Sequence, residues 1–79
     1  GGALLFPRCR SIHTCFMRFP IDVIFLKQVQ ATQGVVVKTC ERVGPFRIVW
    51  AVGADTVVEL PPGTLAKTGA KIGELLEIA

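Results

Sequence analysis

The sequence predicts a mainly β domain, a small barrel or sandwich of about six short strands with a single helical turn. Three observations carry this. The apolar set is Val, Ile, Leu and Phe, residues that fit a pleated, half-buried surface. The hydrophobic period is two almost everywhere, not 3.6. Apolar residues make up 51% of the chain and charged ones only 19%, which places it among globular proteins and excludes disorder. Seventy-nine residues make one domain, residues 1–79.

The elements follow in order. Ala3-Leu-Leu-Phe6 is a short apolar run stopped by Pro7, and Pro7-Arg-Cys-Arg10 is a polar loop. From Ser11 to Phe16, alternation sets Ser11, His13 and Cys15 on one face and Ile12, Thr14 and Phe16 on the other. Pro20 bends the chain, since it fixes its own φ and pushes Phe19 out of the α region. Ile21, Val23 and Phe25 then share one face, with Asp22, Ile24 and Leu26 opposite. Two apolar faces indicate a central strand buried on both sides, with Asp22 at its edge. Phe16, Phe19, Ile21, Val23 and Phe25 are the expected core.

Lys27 to Gln33, ending at Gly34, is polar and predicts a hairpin loop. Val35 to Val43 returns as a strand, and Gly44-Pro45 breaks it. Phe46 to Val52 is apolar and β-prone, with Trp50 expected in the core or at an interface. Thr56 to Leu60 is a further strand, closed by Pro61-Pro62-Gly63. The helical turn is Thr64 to Thr68, with Thr64 as N-cap and Gly69 as C-terminal stop. Lys71-Ile-Gly-Glu74 turns into a last strand, Leu75 to Ile78.

Ala3-Leu-Leu-Phe6, Ser11-Ile-His-Thr14, Met17-Arg-Phe-Pro-Ile-Asp-Val-Ile-Phe-Leu26, Val58-Glu-Leu-Pro-Pro-Gly-Thr64 and Gly73-Glu74 occur in that order. In these the chain resembles the bacterial family catalogued as domain of unknown function 192. The resemblance implies a compact, mainly β barrel or sandwich and no established reaction. It departs from the family in three ways. Relatives begin with some thirty further residues, the loop after Leu26 is longer here, and Cys15 and Cys40 fall outside the expected pattern.

The polar residues that might carry chemistry cluster early. His13 and Asp22 are the catalytic candidates, because a carboxylate can hold a His in one tautomer for use as a base. Arg8, Arg10, Thr14 and Arg18, with Arg47 beyond them, suit a small anionic ligand. Against this stands a structural reading, in which Asp22 accepts backbone hydrogen bonds and the arginines are solvated surface charges. Cys9, His13 and Cys15 supply three donors within seven residues, whereas a structural zinc site takes four, so no metal and no cofactor is expected. Three cysteines cannot form a complete disulfide framework and are expected as mostly buried thiols.

Net charge is +3 without a basic run, which argues against nucleic acid. No apolar stretch has membrane-spanning length and no signal pattern is present, so a cytoplasmic protein without a membrane partner is expected. The functional expectation is a non-enzymatic binding or interaction module; the alternative is a small enzyme or anionic-ligand-binding domain using His13, Arg18 and Asp22. The chain starts inside its first strand, so a sheet edge is left open or an upstream segment has been removed. An open apolar edge invites a second chain. A homodimer is therefore expected, joined through part of Ala3 to Phe6 or the Phe46 to Val52 strand.

Overall fold

A computed structural model describes residues 3–13 and 19–78, with the side chain of His13 excepted. Seven strands and one short helix follow one another: β1 (Leu4–Pro7), β2 (Ser11–His13), β3 (Ile21–Gln30), β4 (Gln33–Val43), β5 (Ile48–Trp50), β6 (Thr56–Leu60), α1 (Thr64–Thr68) and β7 (Leu75–Glu77). Five strands form an antiparallel sheet in the order β1-β6-β3-β4-β7, curled into a half-barrel. The remaining pair, β2 and β5, forms a separate two-stranded ribbon.

Alternation along β3 decides the layering. Ile21, Val23 and Phe25 face one side, where Val43 and Val57 join them from neighbouring strands and Ile12 and Ala51 from the ribbon. Ile24 and Leu26 face the other side and pack with Val36 and with Leu65 of α1. β3 is thus buried on both faces, as the sequence predicts, and the ribbon and the helix cover opposite sides of the sheet. Phe25 and Leu26 are both fully buried, so the two cores meet back to back through one strand.

Several local expectations are corrected. Phe19 is 59% exposed, because it precedes Pro20 in the bend leading into β3 and lies outside both cores. The hairpin loop is not Lys27–Gln33: β3 continues to Gln30, and the turn is only Ala31 and Thr32. Here backbone pairing outruns side-chain polarity, with Lys27 opposite Val35 and Gln28 opposite Gly34. At Gly34 a Cβ would lie 3.2 Å from the Cβ of Leu26, so the bare backbone lets the strands approach there. Pro7 belongs to β1, an edge strand, where its missing N–H breaks no ladder.

The helix begins after Gly63, which sits at φ 90°, so Thr64 is its first residue and not its cap. The Thr64 hydroxyl instead donates back to the carbonyl of Pro61 at 2.7 Å. Gly69 ends the helix in the left-handed region, as expected. Cys9 and Cys40 are free thiols, half-buried against the ribbon-side core; Cys15 and Phe16 lie outside the described residues.

Candidate functional site

Asp22 is completely buried in β3, not at an edge. Between Ile21↔Val43 and Val23↔Cys40 strand β4 carries one extra residue, a bulge in which Arg42 adopts φ 49°. The bulge takes the Arg42 N–H out of the ladder, and Asp22 Oδ1 accepts it at 2.9 Å. The other oxygen, Oδ2, accepts the N–H of Leu65 at 2.8 Å, in the first turn of α1. The glycine cap of that helix has no side chain to do this. A carboxylate at a helix N-terminus also meets the positive end of the backbone dipoles. Asp22 therefore ties strand, bulge and helix together.

The other sequence candidates fall in different places. His13 ends β2 on the ribbon, and Thr14 and Arg18 lie outside the described residues. Arg8 is exposed just after β1 with φ 58°. Arg10 is exposed before β2; its carbonyl accepts the Ala51 N–H at 3.0 Å, and it lines a shallow hollow of about 310 Å³ with Ser11, Trp50, Ala51 and Val52. Among the described residues no three metal-ligating side chains come together.

Two surface features stand out, the first not anticipated and the second within the Phe46 to Val52 strand that the sequence reading expected at an interface. The first is an open apolar groove of about 500 Å³ on the helix side of the sheet. Ile24 and Leu26 of β3 and Val58 and Leu60 of β6 line its floor. Thr64 and Thr68 of α1 stand at one wall, and Glu74 and Glu77 lie along the C-terminal side. The signal was present in the sequence, since Ile24/Leu26 and Val58/Leu60 each follow the period of two. The Gly73-Glu74 turn positions that side. Gly73 takes φ 90°, its N–H bonds the Val36 carbonyl at 2.7 Å, and the Val36 N–H bonds the Glu74 carbonyl at 2.9 Å.

The second feature is a stripe along β5 and its flanks. Phe46, Ile48, Trp50 and Val52 are 79%, 56%, 58% and 90% exposed, whereas Val49 and Ala51 between them turn inward to the core. Trp50 is not a core residue: Lys38 Nζ lies 5.9 Å from its ring centre and donates to its carbonyl at 2.9 Å.

Two carboxylates differ from ordinary surface acids. Asp55 is held below the usual carboxylate range, chiefly by the N–H of Gln28 at 2.9 Å, against the opposing pull of burial; the Thr56 hydroxyl and the Lys27 ammonium add to the lowering. Glu59 is pushed up by desolvation.

A small mainly β domain with these motifs is recognised at the family level. The profile of DUF192, described as an uncharacterized ACR, matches residues 1–78, and the chain belongs to that family. The family has no characterised function. No curated protein and no solved structure gives a significant match.

Proposed function

We propose that the chain is a non-enzymatic interaction module that pairs with a second copy of itself through the β5 stripe. The observation that supports this is the run Phe46, Ile48, Trp50, Val52, in which every second residue is large, apolar and turned to solvent. Two such aromatics and two aliphatics expose roughly 600 Å², the upper end of the range of patches that are functional on small proteins. Among the described residues β5 has one strand neighbour, β2, and Lys38 Nζ takes the Trp50 carbonyl, so the pairing is proposed through the exposed side-chain face of the stripe. A two-fold axis beside β5 lets the same stripe serve both subunits.

The alternative, a small enzyme or anionic-ligand-binding domain using His13, Arg18 and Asp22, draws less support. Both oxygens of Asp22 are already held by backbone N–H groups, which suits a structural role.

Sedimentation equilibrium at micromolar concentration tests the proposal, with Ile48→Lys and Trp50→Lys as variants. The dimer mass is expected for the natural chain and the monomer mass for both variants, with unchanged circular dichroism. A monomeric natural chain overturns the proposal. So does a dimer that survives both substitutions, which would move the contact to the β1 edge.

A further inference from the structure

We infer that Phe46 is the anchor of the dimer, entering the hollow beside Trp50 of the second copy; this rests on the pairing proposed above and names its central contact. Phe46 stands in the left-handed region at φ 60°, which glycine adopts freely and a bulky side chain only at a cost. Its ring is 79% exposed and joins neither core, so burial within the chain does not offset that cost. Backbone strain of this kind clusters where a protein grips a ligand or a partner.

The other end of the same stripe supplies the receptor. Ser11 pairs with Trp50, and the Arg10 carbonyl accepts the Ala51 N–H at 3.0 Å, so backbone bonds fix the ribbon there. The hollow of about 310 Å³ at that end has Trp50, Ala51 and Val52 as apolar walls and Arg10 as its charged one. A phenyl ring packs favourably against both an indole and a guanidinium. Phe46 lies five positions before Ala51, about 17 Å along an extended strand, so it does not fill the hollow of its own chain. A two-fold axis lying across β5 at Val49 reverses the second strand. It sets Phe46 of one copy against Val52 of the other and Ile48 against Trp50, and each Phe46 then meets the other copy's hollow. With Arg10 and Ser11 at the rim, the surface offers roughly 750 Å² per copy, close to the ~800 Å² that a standard interface takes from each partner.

Sedimentation equilibrium over a concentration series gives the dimer Kd of the natural chain, of Phe46→Gly, of Arg10→Ala and of the two combined. Phe46→Gly removes the ring and relieves the backbone, so a loss of dimer is not a loss of fold, and circular dichroism checks this. Arg10→Ala keeps the Arg10 carbonyl and with it the bond to Ala51. Phe46→Gly is expected to raise Kd about 30-fold, the loss that marks an anchor residue, and Arg10→Ala about tenfold. The combined variant should match Phe46→Gly alone within about twofold, because both substitutions break one contact. A Kd that Phe46→Gly changes by less than about twofold overturns the inference and leaves the pairing through the stripe standing. Effects that multiply in the combined variant do the same, since an axis running along β5 would set Phe46 against Phe46 and leave the hollows empty. A monomeric natural chain overturns the pairing itself, and the anchor with it.

Discussion

The Asp22 carboxylate accepts the Leu65 N–H at 2.8 Å across 43 positions of sequence, so a side chain of the central strand caps a helix it does not belong to. The helix has five residues, too few to persist by itself. It stands because β3 presents an acceptor to its first turn and Leu65 enters the core beneath it. Asp22→Ala removes two charge-assisted bonds and leaves two N–H groups without partners, at a cost of about 2–4 kcal/mol. Urea denaturation measures it. A midpoint equal to that of the natural chain would show that water replaces the carboxylate at no loss.

Phe25 and Phe19 form a natural contrast. Phe25 is fully buried and Phe19 mostly exposed. Phe25→Ala should cost about 3–5 kcal/mol, whereas Phe19→Ala should stay within about 0.5 kcal/mol. Thermal melts of the two variants decide it, and comparable losses would contradict the placement of Phe19.

Asp55 contributes to the acid limb of stability. Its folded form titrates below the unfolded one, chiefly because the Gln28 N–H favours the carboxylate. Its contribution is therefore present above the unfolded pKa and is lost as pH falls through the folded one. Asp55→Asn is expected to flatten the decline of the urea midpoint at acid pH. An acid limb of unaltered slope would remove Asp55 from the account.

Glu59 behaves in the opposite sense. Desolvation raises its folded pKa, so its favourable contribution is complete below the unfolded pKa and disappears as pH rises through the folded one. Glu59→Gln should raise the urea midpoint at pH 7 relative to the natural chain and leave it unchanged near pH 3. A lower midpoint at pH 7 would mean that the carboxylate has a partner it needs.

The core was largely legible in the sequence. Alternation over Ile21–Leu26 assigned those six residues of β3 to the correct faces, and Gly69 marked the helix end. What stayed hidden depends on groups far apart in the chain. The bulge at Arg42 leaves no mark in composition, and only the fold brings Leu65 to Asp22. Polar Lys27–Gln30 resemble a loop because their side chains are exposed, although their backbone follows the ladder. The groove shows in the sequence only as the period of two at Ile24/Leu26 and Val58/Leu60; that the first pair is fully packed while the second stays half-buried depends on where the short helix lies.

The pairing of β1 with β6 sets a schedule for synthesis. Leu4 lies opposite Glu59, whereas Gln30 lies opposite Gln33, so the central hairpin closes almost as soon as it is made and the outer strand waits. At 5–20 residues per second, the ribosome takes roughly 3–10 s to deliver β6 after β1. Throughout that interval Leu4, Leu5 and Phe6 have no native partner strand. Pro7, which removes a backbone donor from this segment, makes the waiting strand a poorer template for other nascent chains.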